Sequence, residues 1–400
     1  LFKTVEGDMS NVVSMGAGET RMTEEQNDRP YRICTRCVMD TSDPDITFDA
    51  NGVCNHCHTY DTVVRQVILP PEQARTKIAT IVERIRTEGT GRPYDCIIGV
   101  SGGVDSSYLA YKVRDLGLRP LAVHLDNGWD SELAVANIHK VLERLGIDLY
   151  THVIDWEEFR DLQLSFLKAS TPDSEIPSDH AIVSLMGQMA AKNGIRHIIA
   201  GYNAKTESHL PAAWSQGHWD WRYIKSVQDR FGTVPLRTFP HMNLFGYARY
   251  ILVQRWVLLL NYIDYNKAEA MKFLEDKLGW RYYGGKHYES IYTRFYQGYI
   301  LPRKFGYDKR RTHYSSLICS GEITRDEVLK ILEEPPYPAD LMAEDKAYVV
   351  KKLGLTEAEF EAIMNLPKKT YWDYPSYGHF LKSPAFDAVK AVFRAVRKWD

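Results

Sequence analysis

A largely apolar, β-branched run from Tyr94 to Val100 leads directly into GVSGGVDSSY, Gly99 to Tyr108, and no other feature of the chain restricts its fold as strongly. Such a run predicts an interior parallel strand. Leu109, Val113 and Leu116 then recur at helical spacing, which predicts a helix over 106–116. The glycines and serines between them predict a tight turn that delivers the chain to a helix N-terminus. Unpaired backbone N–H groups at such a point favour an anion, and phosphate is the natural candidate. The alternative is an ordinary strand-to-helix turn.

The pattern after the junction extends this reading. Strands are predicted over 119–127, 148–154 and 195–201, with helices over 131–145, 156–168 and 181–192 between them and TPDSEIPSD as a Pro-rich loop. Alternating strands and helices predict an α/β fold, a parallel doubly wound sheet covered on both faces, with ligands beyond the carboxyl ends of its strands. SGGVDSS, HLDNGW and AGYNAKTE all fall at those ends. Beyond Pro211 the composition turns aromatic and basic, and helices are predicted over 246–262, 267–278, 324–333 and 340–352. The expected organisation is a flexible or appended leader over 1–29, with Met9 and Met22 as candidate starts, and a zinc knuckle with linker helix over 30–92. A nucleotide-loop domain over 93–210 and a mainly helical substrate or partner region over 211–400 complete it.

Four of the six cysteines form two close pairs, CTRC and CNHC, with the spacing C-x2-C-x16-C-x2-C. That spacing suits four thiolates, Cys34, Cys37, Cys54 and Cys57, on one tetrahedral zinc. Free or redox-active pairs are the alternative, and His56 and His58 are neighbours able to replace a thiolate. A four-thiolate site leaves no open position, so the expected zinc is structural. Cys96 falls in the first strand and reads as buried filler, while Cys319 has no evident partner.

The net charge of −2 gives no global electrostatic reason to bind nucleic acid or an anionic membrane. The longest apolar stretch, YILVQRWVLLLNYI, is interrupted by Gln254 and Arg255 and is too short to span a bilayer. A cytoplasmic location, with no membrane insertion and no nucleic-acid partner, is the expectation.

The loop is not of the Walker type, which would carry a lysine. SGGVDS resembles the loop of the PP-loop ATP pyrophosphatase superfamily, which includes GMP synthetase, asparagine synthetase and several tRNA-modifying enzymes, and whose sheet is adenine nucleotide alpha hydrolase-like. The resemblance implies cleavage of ATP between the α and β phosphates. Ser101, Gly102, Gly103, Asp105, Ser106 and Ser107 would then bind pyrophosphate, with Asp105 managing Mg2+, and Asp126 of HLDNGW would contact the nucleotide. DNG is also a common turn. From Tyr31 onward, ICTRCVMDTSDPDITFDANGVCNHC, IIGVSGGVDSSY, HLDNGW, GYNAKTES and YILPRKFGYDKRRTHYSSLICSGEITRDE together resemble the N-acetyl sugar amidotransferase family of surface-polysaccharide pathways.

That resemblance implies ATP-dependent conversion of the acetamido group of a nucleotide-activated N-acetyl sugar into an acetamidine, in lipopolysaccharide O-antigen or related glycan synthesis. The expected cofactors are ATP, Mg2+ and structural Zn2+. No covalent nucleophile is required, in keeping with the absence of a recognisable triad. Asp105, Glu207, Lys309 and Arg310 are the expected catalytic groups, and Asn203, Arg303, Lys304 and Arg311 the expected substrate contacts. Trp214, Trp219, Trp221 and Tyr223 of AAWSQGHWDWRYIK offer flat faces for a sugar or base, with core packing as the alternative; the alternatives for LPRKFGYDKRR and for Asn203 and Glu207 are a solvated basic face and a loop cap. The resemblance further implies two partners, a glutaminase and a cyclase-like subunit similar to those of imidazole glycerol phosphate synthase. They are expected to dock on the C-terminal half and deliver ammonia near Glu207. The competing functions are a tRNA-thiolating enzyme of the same superfamily and a non-catalytic zinc- and nucleotide-binding scaffold.

Overall fold

The structure is a computed structural model that describes residues 29–285 and 288–381. Met9, Met22 and the expected leader, apart from Arg29, lie outside the described residues. The chain begins with the paired-cysteine knuckle, followed by α1 (Asn55–Val67) and α2 (Pro71–Glu88). The predicted alternation then appears as β1 (Cys96–Gly99), α3 (Val104–Asp115), β2 (Pro120–Asp126), α4 (Glu132–Leu145), β3 (Asp148–Val153), α5 (Trp156–Ala169), α6 (Ile176–Lys192) and β4 (His197–Ile199). All strand pairings are parallel, and the sheet order is β3-β2-β1-β4 with a fifth strand, β5 (Arg255–Val257), beside β4.

The period of two along each strand distributes the apolar side chains between two cores. Ile98, Ala122 and Ile199 face a layer that includes Val104 and Leu109 of α3. Ile97, Leu121, Val123 and Ile198 face the opposite layer with Leu185 and Met189 of α6. Burial on both faces is what the continuous apolar strands require.

Two elements differ from the sequence expectation. The stretch read as one helix over 246–262 divides into α9 (Leu244–Val253), β5 and a short 3-10 turn, Leu259–Asn261. A continuous apolar run gives no period to separate a buried strand from a buried helix. The sheet therefore takes its fifth strand from beyond residue 210, where the sequence reading ended the nucleotide-loop domain. Helix α6 begins five residues before the expected 181, inside the supposed loop. Pro177 stands in its first turn, where a missing N–H costs nothing.

Between β4 and β5 lie α7 (Ala204–Glu207), α8 (Trp221–Phe231) and α9. After β5 the chain is helical: α10 (Lys267–Leu278), α11 (Ile291–Phe295) continuing as a π-helix over Tyr296–Phe305, α12 (Lys309–Ser320), α13 (Arg325–Glu333), α14 (Ala339–Leu353), α15 (Glu357–Met364) and α16 (Tyr377–Leu381). Pro302 lies inside the π-helical segment, where it cannot donate to a regular α-helical ladder. Among the described residues no helix is long and apolar enough to cross a membrane.

Candidate functional site

The chain runs outward from β1 to β2 and β3, then crosses back to β4 and β5. The strand order therefore reverses between β1 and β4, and a crevice opens at such a switch point. The glycine–serine loop leaves β1 there, and the loop after β4 lies against it: a Cβ on Gly201 would stand 3.4 Å from the carbonyl carbon of Asp105 and the nitrogen of Ser106.

Gly102 has φ +79°, and a Cβ there would lie 2.5 Å from the carbonyl oxygen of Ala134 in α4. Its own carbonyl accepts from Trp280 Nε1 at 2.8 Å. Gly103 has an ordinary φ of −72° and precedes α3 without a side-chain cap, leaving the helix N-terminus available to an anion. A Cβ on Gly103 would meet Ser101 Oγ at 3.2 Å and both Glu289 Oε1 and Tyr283 OH at 3.3 Å, so glycine keeps a small cradle open. The hydroxyls of Ser101 and Ser106 lie 3.2 Å apart at its edge. Ser107 is buried beneath them.

Carboxylates gather beside this cradle. Asp105 accepts from the Tyr265 hydroxyl. Burial, reinforced by Asp105, Glu207 and Glu322, raises the Tyr265 pKa far above the phenolic range, so the hydroxyl remains a donor. Burial, with Glu289 and Asp105, does the same for Tyr283. Glu207 Oε2 accepts from the Asn203 amide at 3.4 Å. Asn203 caps α7, its Oδ1 accepting from Thr206, while its buried Nδ2 has no hydrogen-bond partner. Asp126 ends β2 and accepts from Gly128 N at 2.9 Å. Sequence reasoning missed Tyr265, Trp280, Tyr283 and Glu289, which belong to no motif, and gave no role to Glu322 of LICSGE. Their segment crosses the crevice mouth, where Ser131 N donates to Glu289 O at 2.8 Å and Ile291 N to Trp129 O at 2.9 Å.

The basic run expected to supply catalytic groups and substrate contacts is dispersed. Lys309 approaches Glu175 at 3.9 Å, and although burial opposes its charge, Asp173, Glu175 and Asp179 keep its pKa raised. Arg310 is held by Asp308 and by the carbonyls of Ile331 and Glu334. Arg311 binds Asp40 at 3.0 Å and the Val38 carbonyl at 2.8 Å in the knuckle. Arg303 lies 4.0 Å over the Tyr299 ring. Lys304 is buried and donates to Ile363 O; burial, then Lys368, lowers its pKa to about 8. None of these five is in contact with the glycine loop in the described structure, which brings together Ser101, Gly102, Gly103, Asp105, Ser106 and Ser107, with Asn203 and Glu207 alongside.

Around Lys309 lies a second polar group. Ser215 Oγ donates to Asp173 and stands 3.0 Å from His218 Nε2, which also reaches Asp179 at 3.2 Å. Burial disfavours the imidazolium, but Asp173 and Asp179 outweigh it and push the His218 pKa up to about 10. The serine and both carboxylates engage the same ring nitrogen. The histidine is therefore a charged bridge and not the base of a nucleophilic triad.

The four knuckle sulfurs lie within 4.8 Å of one another, with Cys34–Cys57, Cys37–Cys54 and Cys54–Cys57 at 3.9, 3.6 and 3.8 Å. A tetrahedral ion bound at about 2.3 Å sets sulfurs roughly 3.8 Å apart, so the residues fit zinc. Amides of Arg36, Cys37 and Cys54 donate to Cys34 Sγ, and that of Met39 to Cys37 Sγ. Cys57 instead meets Cys319 Sγ at 3.8 Å, and Cys319 in turn lies 3.7 Å from His209 Nε2. His56 and His58 bond to Asp43 and Asp49.

A parallel sheet with a glycine–serine loop at its switch point, a four-cysteine cluster before it and a helical region after it define the class: a parallel-sheet α/β protein. Residues 289–387 match the family described as the C-terminal domain of WbpG-like LPS biosynthesis proteins, in agreement with the resemblance in the sequence. No curated protein matches the chain. NMN synthetase from Francisella tularensis is a structural neighbour at 18% identity and a TM-score of 0.28, covering 52% of this chain and 87% of its own. The assignment of class rests on the sheet and loop, not on that likeness.

Proposed function

We propose that the chain is the synthetase subunit of an ATP-dependent N-acetyl sugar amidotransferase serving lipopolysaccharide O-antigen or related glycan synthesis. One combination carries the reading: a glycine–serine anion loop flanked by carboxylates, in a chain whose residues 289–387 match a WbpG-like LPS biosynthesis domain. An amide carbonyl is a poor electrophile. Its oxygen would bond to the α-phosphorus of ATP as the α–β bridge breaks, giving an O-adenylated imidate and pyrophosphate. Ammonia then forms the C–N bond, the C–O bond breaks, AMP leaves, and loss of a proton yields the amidine.

No protein nucleophile enters these steps, so the residues act by positioning and electrostatics. The cradle at Gly103, the Ser101 and Ser106 hydroxyls and the α3 N-terminus would hold pyrophosphate. Asp105 and Glu207 would hold Mg2+, which when bound offsets phosphate charge. The unpartnered Nδ2 of Asn203 is a donor available to the acetamido oxygen. With the basic run engaged elsewhere, the α3 N-terminus would offset phosphate charge, together with Mg2+ held by Asp105 and Glu207.

The test is pyrophosphate release from ATP with ammonium, comparing nucleotide-activated N-acetyl sugars with tRNA. Release with a sugar nucleotide and formation of an amidine product are expected. Release with tRNA alone would support the thiolation reading instead, and tight ATP binding with no turnover would leave only a scaffold.

A further inference from the structure

Three elements bring ligand-type side chains together beside the four-cysteine cluster: Cys57 in the first turn of α1, His209 two residues beyond α7, and Cys319 in the last turn of α12. Cys319 Sγ stands 3.8 Å from Cys57 Sγ and 3.7 Å from His209 Nε2, and the three ligand atoms lie within 4.8 Å of one another. A tetrahedral zinc with Zn–S of about 2.3 Å and Zn–N of about 2.05 Å sets two sulfurs roughly 3.8 Å apart and a sulfur and a nitrogen roughly 3.6 Å apart. Both separations at Cys319 fit that geometry.

The groups around the three side chains are arranged for the same purpose. His209 is buried, and its Nδ1 lies 2.9 Å from Ser316 Oγ. The Ser316 hydroxyl gives its proton to the Thr312 carbonyl, so its oxygen accepts from Nδ1–H. The tautomer that results carries its lone pair on Nε2, the nitrogen facing Cys319. Histidines that bind metal are commonly oriented through their other nitrogen in this way. Ser316 and Cys319, three residues apart, share a face of α12, so one helix supplies both a ligand and the group that orients the histidine. Cys57 retains the capacity to bridge. Amides donate to Cys34 Sγ and Cys37 Sγ, whereas among the described residues none donates to Cys57 Sγ. Four thiolates on one dication leave net negative charge, which favours a second cation on the lone pairs that remain. Cys57 and His209 are buried and Cys319 is half-buried, so solvent reaches the group from the Cys319 side.

We infer that Cys57, His209 and Cys319 hold a second zinc ion, bridged through Cys57 to the ion of the four-cysteine cluster and carrying water in its fourth position. This ion ties α1, the loop after α7 and α12 together at one point. Only one of its thiolates is unshared, so it is held more weakly than the first ion and leaves before it. The inference concerns the metal alone and does not depend on the reaction proposed above.

The test uses the full chain as purified, kept reduced by a phosphine, with Cys319→Ser and Ser316→Ala alongside it. Each protein is equilibrated with excess Zn2+, desalted and assayed for metal, and each is also produced with Co2+ in place of zinc. Two ions per chain are expected in wild type and one in Cys319→Ser, with the second ion bound about tenfold more weakly in Ser316→Ala. Two cobalt ions sharing a thiolate couple magnetically, so the wild-type paramagnetic resonance signal per ion should fall below that of Cys319→Ser. A wild type that saturates at one ion, with the full signal of an isolated cobalt, would overturn the inference and leave Cys319 as a thiol donor to His209 Nε2. A second ion that persists in Cys319→Ser without coupling would lie elsewhere and overturn it equally. Should either variant fail to fold, the wild-type stoichiometry and coupling decide the matter.

Discussion

Gly102 and Gly103 are adjacent glycines with different obligations. Gly102 needs its left-handed φ and the absence of a Cβ that would overlap the Ala134 carbonyl, so its role is to pack the loop onto α4. Gly103 has a backbone that any residue adopts, and a Cβ there would press on Ser101 Oγ, Glu289 Oε1 and Tyr283 OH, side-chain ends at 3.2–3.3 Å that line the cradle. Gly102→Ala is therefore expected to destabilise the fold by about 3 kcal/mol, combining left-handed strain with overpacking. Gly103→Ala should melt close to wild type but bind ATP and release pyrophosphate poorly. Thermal melts and nucleotide titration of both variants check this, and a Gly103→Ala protein with normal turnover would remove the cradle as the phosphate site. The glycine–serine motif was legible in the sequence because it is local. The destinations of Lys309, Arg310 and Arg311 were not, since successive helical residues diverge by about 100°. One reaches Glu175, the next the end of α13, and the third the knuckle.

Among the elements, the knuckle is a brace for the loop after β4. Tyr60 of α1 donates to the Lys205 carbonyl at 3.3 Å and packs on His209 with ring centres 5.2 Å apart. Arg325 at the start of α13 donates to the Cys34 and Cys37 carbonyls, and Val38 N donates to Ser315 Oγ of α12 at 3.2 Å. Loss of the ion should thus loosen Asn203 and Glu207 as well as the cysteines. Cys54→Ser is expected to lose zinc, lower the melting temperature and speed amide exchange across 203–209, with reduced pyrophosphate release as the consequence. Cys319→Ser should retain one zinc per chain, because four sulfurs already close the tetrahedron. Elemental analysis and hydrogen exchange are the measurements; unchanged protection of 203–209 in metal-free protein would refute the brace. The cysteine spacing made the four-cysteine cluster legible, whereas its contacts with α12 and α13 join residues nearly three hundred apart in sequence, which no local pattern encodes. β5 was missed for a different reason, because its apolar run carries no period.

For the molecule as a whole, the proposed reaction requires a source of nitrogen. Glutamine hydrolysis by a cysteine glutaminase needs an accessible, activated thiolate. All six cysteines are accounted for: four form the knuckle cluster, Cys96 is fully buried in β1, and Cys319 faces Cys57. Burial, with Asp95 beside it, raises the Cys96 pKa well above the ordinary thiol range, which keeps it protonated and inert. Ser215 provides no substitute, since His218 is held charged between Asp173 and Asp179 and has no capacity to accept a proton. Free ammonia is scarce at neutral pH, so the proposed reaction calls for a separate glutaminase that passes ammonia to the crevice near Glu207. The purified chain is therefore expected to form amidine with ammonium chloride and none with glutamine until that partner is added. The measurement is product formation with each nitrogen donor, using wild type and Cys319→Ser in parallel. Sustained glutamine-dependent turnover by the chain alone would refute the division of labour, and its loss in Cys319→Ser would identify the thiol responsible.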